Sequence, residues 1–201
     1  MSPFKGITLK LCSVILFVVM SSLIKAASDA VPPGQAVFFR SLFAIPVILT
    51  WLAVRGDLRT GLRVTSPMGH FWRGFVGTAA MGLMFAGLGL LPLPEVTALG
   101  YTAPLLTVVF AAMFLDERVG LFRIGAVALG LVGVLIVLAP RLSTLTGETV
   151  QTTQAVGAVM VLMGATCAAL AQIYIRKLVA TEQTSAIVFY FSATSTLLSL
   201  L

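Results

Sequence analysis

Charge is scarce in this chain. Of its 201 residues 10% are Asp, Glu, Lys or Arg and 59% are hydrophobic, whereas ordinary soluble domains are roughly 25% charged and about 45–50% apolar. Acidic residues number seven, and His70 is the single histidine. The acids fall at the ends of apolar runs or between them and His70 falls in a polar connection, so the sequence offers neither an intramembrane proton relay nor a metal cluster. No P-loop is present, which argues against an ATP-driven pump. The lack of buried His, Asp or Glu pairs argues against a membrane protease or metalloenzyme, so the chain is expected not to be an enzyme and to need no cofactor. Cys12 and Cys167 lie in apolar runs without CxxC spacing, and a buried apolar role is expected for both. No polar stretch is long enough for a soluble domain.

What fills the chain instead is membrane-length apolar sequence. Windows near 20 apolar residues, enough to cross about 30 Å of hydrocarbon as a helix, run at 7–27, 35–54, 71–91, 95–115, 119–139 and 154–175, with a seventh at 185–201. None alternates as a barrel strand does, and a backbone in lipid must satisfy its own hydrogen bonds. The expected fold class is therefore an all-α integral membrane protein, a helical bundle. The first window has the basic start and small-residue end of a signal peptide, but its apolar run is long for one. Lys5, Lys10, Arg55, Arg59, Arg63, Arg73, Arg118, Arg123, Arg176 and Lys177 fall on one side of such a bundle, and Lys25 and Arg141 on the other. By the positive-inside rule the N-terminus is expected in the cytoplasm. The net charge of +6 then reflects basic loops beside anionic lipid, with no basic patch interleaved with stacking aromatics and no nucleic-acid partner.

Offsetting the sequence by 151 positions aligns Gly6 with Gly157, Ile24-Lys25 with Ile175-Arg176, "VFFRS" at 37–41 with "VFYFS" at 188–192, and Leu49 with Leu200. A repeat of five helices, an odd number, must re-enter the membrane from the opposite side, giving an inverted pair of the kind found in secondary transporters. The expected division is residues 1–141 as the first repeat and 142–201 as the opening of the second, which would continue to about residue 290 if complete. The chain then reads as a fragment or a truncated product of a ten-helix protein.

The stretch "LPLPEVTALGYTAPLLTVVFAAMFLDERVG", followed by "GAVALGLVGVLIVLAPRL", resembles the EamA repeat of the drug/metabolite transporter superfamily. The likeness rests on Pro94, Glu95, Pro104, Glu117, Arg118, Gly125, Gly130 and Gly133. It implies a bacterial inner-membrane permease of two inverted five-helix halves with the path for a small-molecule substrate between them. Within the superfamily, "FFRSLFAIPVIL" and "LPLPEVTALGYTAPLL" are most similar to alphaproteobacterial riboflavin permeases, which implies riboflavin uptake. Export of an amino-acid-like or other metabolite, or a non-transport assembly role, are the alternatives.

Arg40 is the residue out of place in an apolar run. It lies about 8 Å below the expected outer end of the second helix, where it either snorkels to the headgroups or offers its guanidinium to a substrate in the central cavity. Its repeat mate is Phe191, so the scaffold does not demand the charge twice. Pro104 removes the donor for the Gly100 carbonyl and is expected to kink the fourth helix, with Thr97 and Tyr101 on the same face as candidate lining. Phe43, with Phe38, Phe39 and Phe85, is a candidate wall for a flat ring system. Ser21 lies on a mildly polar stripe of the first helix with Lys10, Ser13 and Phe17, where either helix contact or substrate contact accounts for it. Gly74, Thr78, Gly82 and Ala86 recur every four residues and are read as a packing stripe. Glu95, Asp116 and Glu117 are read as favourable charges at helix N-termini.

The charge asymmetry makes an accessibility test direct. A cysteine placed at Thr146 is expected to react with an impermeant thiol reagent in intact cells; labelling only after permeabilisation would reverse the assigned orientation.

Overall fold

The computed structural model describes residues 3–142 and 149–200. Every regular element among them is a helix: α1 (Pro3–Ala27), α2 (Pro33–Arg55), the single turn α3 (Leu58–Gly61), α4 (Pro67–Leu90), α5 (Leu93–Gly100), α6 (Thr102–Leu115), α7 (Leu121–Leu142), α8 (Thr149–Val179) and α9 (Thr184–Leu198). Taking α5 and α6 as one span, five segments are long and apolar enough to cross a membrane, and two shorter apolar stretches, Leu121–Val137 and Thr184–Leu198, accompany them. The all-α membrane bundle expected from composition is the fold. The connection around Thr146 lies outside the described residues.

Local chemistry sets the helix ends. Pro33 and Pro67 occupy first-turn positions, where a missing N–H costs nothing. Gly56 closes α2 in the left-handed region at φ 71°, with Gly56 N–H donating to Ala53 O and Asp57 N–H to Leu52 O, both at 3.1 Å. That is the glycine C-cap, and any side chain there would be strained. Asp116 adopts the same region at φ 50° where α6 stops, a conformation that aspartate tolerates better than most residues.

α4 begins four residues before the window read from hydropathy, because Ser66 and Pro67 make a helix start. This corrects two placements. His70 lies in the first turn of α4 and is buried, and Arg73 lies inside the helix instead of at its mouth. The fourth predicted helix is also not one helix. It breaks at Tyr101, whose ψ of −9° separates α5 from α6. Pro104 has no N–H to give to the Gly100 carbonyl, so the ladder lapses one turn before the proline.

The largest interface joins α4 to α8, with α9, α2 and α6 around them. Its face on α8 is made of small residues at helical spacing: Ala155, Ala158, Val161, Ala165 and Ala169 are all buried. Three glycines let the helices close. A Cβ at Gly87 would strike Val161, one at Gly157 would lie 2.8 Å from Leu90 Cβ, and one at Gly164 would lie 3.2 Å from the Ala80 carbonyl oxygen. Without a hydrophobic force between helices in lipid, such close dispersion contact is what holds them. Val37, Met81, Phe85, Leu88, Leu91, Val96 and Leu99 extend this seam into one apolar core.

The predicted stripe on α4 divides. Gly74 and Thr78 face α9, where Thr78 Oγ1 lies 2.6 Å from Ser195 Oγ, while a Cβ at Gly82 would meet nothing within 4 Å. Cys12 is exposed on α1, not buried, and Cys167 is half-buried. Most of α1 is exposed, as an apolar helix facing lipid can be.

Overpacking the α4–α8 seam should therefore be costly. Gly164→Leu is expected to destabilise the protein by about 1–3 kcal/mol, seen as a lower melting temperature in detergent, whereas Gly82→Ala should leave it unchanged. Equal melting of the two variants would show that the seam does not govern stability.

Candidate functional site

Two arginines enter the bundle from opposite ends. Arg40 lies seven residues after Pro33 on α2 and Arg73 six residues after Pro67 on α4, depths of about 10 Å and about 9 Å along helices some 35 Å long. Neither side chain turns back to its nearer helix end. Arg40 Nη1 contacts Met81 Sδ, well inside α4. Arg73 extends toward Gly77, where an added Cβ would overlap both its Nη1 and the Phe191 ring. The missing side chain at Gly77 is what leaves room for the guanidinium.

The Arg73 guanidinium carbon stands 4.2 Å from the centre of the Phe191 ring, a cation–π contact worth up to about 2 kcal/mol where water is excluded. Its Nε and Nη1 are buried without hydrogen-bond partners. The two guanidiniums reach α4 about one turn apart, Arg73 at Gly77 and Arg40 at Met81. The Arg176–Glu117 ion pair at 2.7 Å and the His70–Glu182 contact at 3.6 Å involve neither of them. Thr78, which also donates to the Gly74 carbonyl at 2.7 Å, and Ser195 lock α4 to α9 beside this pair.

The other candidate residues are not gathered there. Tyr101 and Pro104 line a separate cavity of about 330 Å³ against Gly130, Gly133 and Val134 of α7. Thr97 is exposed, and its hydroxyl donates to the Leu93 carbonyl of its own helix at 2.8 Å. Phe43 is 64% exposed and stacks on Phe39 at 6.1 Å. Phe85 belongs to the buried core. Ser21 is half-buried on α1 and does not line the apolar cavity of about 450 Å³ formed by Leu23, Ala27, Val31, Ala36, Phe85 and Met160. Arg73 was legible only as a basic residue near a helix start; the signal for its depth was the Ser66-Pro67 helix start, which moves α4 back by a turn.

A second polar cluster closes the end of the bundle where α4 begins. The Glu182 carboxylate, in the α8–α9 connection, accepts the Thr65 and Ser66 backbone N–H groups at 2.6 and 2.7 Å and faces His70 Nε2. His70 packs on Tyr190 at 5.0 Å between ring centres, Tyr190 donates its hydroxyl to the Leu62 carbonyl at 3.2 Å, and Ser185 donates to the Gly61 carbonyl at 2.8 Å. Glu117, read from sequence as a helix-end charge, bonds Arg176 instead, an exposed pair of small energetic weight.

A bundle of apolar spans with a broken helix defines a multi-pass membrane protein. The family profile described as EamA-like transporter family matches residues 4–139, and the chain belongs to that family. It is 31% identical over 195 residues to the pseudopaline exporter of Pseudomonas aeruginosa, covering 97% of this chain and 65% of the exporter. It is 29% identical over 107 residues to the S-adenosylmethionine uptake transporter of Rickettsia bellii, 53% of this chain and 36% of that protein. It is 32% identical over 111 residues to the riboflavin transporter of Rhizobium johnstonii, 55% of this chain and 36% of that protein. The chain thus spans at most about two thirds of these relatives' length. No solved structure matches it.

Burial of the Glu182 carboxylate by itself raises its pKa, but the Ser66 and Thr65 N–H bonds and the adjacent His70 outweigh that and hold it below the usual carboxylate range. A carboxylate depressed in the folded state stabilises the fold above its unfolded value, about 4.3, and the stabilisation is lost as pH falls through the lower folded value. Glu182→Gln is therefore expected to melt lower than wild type at pH 7, with the gap narrowing as pH drops below about 4.5. A gap that stays constant down to acid pH would mean that the charge of Glu182 contributes nothing to the clamp.

Proposed function

We propose that the full-length protein is a secondary permease of a bacterial inner membrane that moves a small organic metabolite by alternating access, its two inverted halves rocking about a site near mid-membrane. The observation that carries this reading is the pair of inward-running arginines in a chain of the EamA-like transporter family. A charge held that far from the headgroups is costly in lipid and is kept where it serves a path. The break at Tyr101 adds backbone irregularity of the sort tolerated where a cavity is lined.

Export is the direction we favour, because the alignment that runs through nearly the whole chain, including α8, is to an exporter. Riboflavin uptake is the second reading, supported by the shorter riboflavin-transporter alignments and by the aromatic run Phe38, Phe39 and Phe43 on α2. A neutral isoalloxazine ring, however, would leave both guanidiniums without a counter-charge. The N-terminus is cytoplasmic in this proposal, as the basic residues divide.

In the full-length protein, Arg40→Ala and Arg40→Lys are both expected to cut transport at least tenfold while membrane insertion stays normal, since lysine keeps the charge but loses the planar fork. Transport would be followed as efflux of preloaded metabolites and as growth of a riboflavin auxotroph on limiting vitamin. Wild-type rates in the lysine variant, at equal membrane abundance, would assign Arg40 to the bilayer interface.

A further inference from the structure

The arginine pair constrains the substrate more tightly than family membership does. A guanidinium removed from water is tolerated when it is paired and fully hydrogen-bonded. Arg73 is neither: Nε and Nη1 are buried without partners, and a second cation, Arg40, reaches the same helix about one turn further on, at Met81. Gly77 and Phe191 nonetheless hold it pointing into the bundle, the first by leaving space and the second by presenting a ring face.

We propose that Arg73 and Arg40 together bind the carboxylate of an amphipathic organic anion, with Phe191 and Met81 against its apolar part. This rests on the permease reading and names its substrate class. Three features favour a carboxylate. Each guanidinium presents a planar fork matched to its two oxygens. A single anion between the two cations relieves their mutual repulsion as well as supplying the missing acceptors. The side chains that touch the guanidiniums, a phenylalanine ring and a thioether, suit hydrocarbon or aromatic groups better than a small hydrated inorganic ion. Arg40 remains exposed whereas Arg73 is deeper, so an incoming anion meets Arg40 first and Arg73 is the residue that retains it.

The test uses the full-length protein in nanodiscs of neutral lipid and two probes that differ only at the acid, 3-phenylpropionate and 3-phenylpropionamide, with binding read by calorimetry. The carboxylate is expected to bind at least tenfold more tightly than the amide. Arg73→Gln should abolish that preference. Gly77→Ala keeps both charges and crowds the Arg73 guanidinium most and the edge of the Phe191 ring less, so it should weaken the carboxylate several-fold more than the amide; it serves if the Arg73 variant fails to fold. Equal binding of the two probes, or a preference untouched by Gly77→Ala, overturns the proposal, as does displacement of the carboxylate by equimolar chloride or phosphate, which would mark a general anion seat. The two readings fail separately. Transport of neutral metabolites without carboxylate preference would sink the anion site and leave a permease, whereas carboxylate binding in a protein that transports nothing in proteoliposomes would sink the permease and leave the site.

Discussion

The close approach of α4 and α8 is the contact on which the other interfaces depend. In lipid there is no gain from hiding apolar surface from water, so helices stay together only where their atoms interlock. Gly87, Gly157 and Gly164 remove the side chains that would hold the axes apart, and the alanine face of α8 fills the space evenly. With that seam fixed, α4 presents its other face to α9, and Thr78–Ser195 and Arg73–Phe191 result from the same placement. The site geometry is thus a by-product of small residues several turns away.

The polar groups divide by how they are satisfied. At the α4 entrance, Glu182 is matched by two backbone donors and a histidine, and every partner is supplied by the chain. In the interior, Arg73 is held in position by shape and by an aromatic face, its Nε and Nη1 without acceptors. The Glu182 carboxylate is satisfied by its two amides, whereas both ring nitrogens of His70 and the Nε and Nη1 of Arg73 have hydrogen-bonding capacity left over.

Much of this was legible in the residues. The apolar windows located every long helix, because in a bilayer the length and composition of a span are dictated by the solvent. Arg40 was visible as a charge in such a window, and Pro104 announced the disruption of its helix, although the sequence did not show that the break would fall three residues earlier at Tyr101. What stayed hidden depended on pairing between distant segments. Hydropathy cannot place Arg73 against Phe191, 118 residues later, or Glu182 against Thr65, because those contacts are decided by which helix faces which. The candidates chosen by helical face alone, Thr97 with Tyr101 and Pro104, lie on surfaces that α4 and α9 do not cover.

Because α4 leans on helices made after it, the bundle must assemble in a particular order. Chains emerge N-terminus first, and α4 finds its two largest neighbours in α8 and α9, elements synthesised after α5, α6 and α7 are already in place. Until then the glycine face of α4 has only lipid tails to pack against, which cannot fill its notches, and the Thr65 and Ser66 amides have only water. These contacts become available only once α8 and α9 are made: α8 closes the seam, and the α8–α9 connection brings Glu182 to the Thr65 and Ser66 amides. A ribosome pausing before α8 would hold a half-made bundle whose central helix is inserted but unclasped, a natural substrate for membrane quality control.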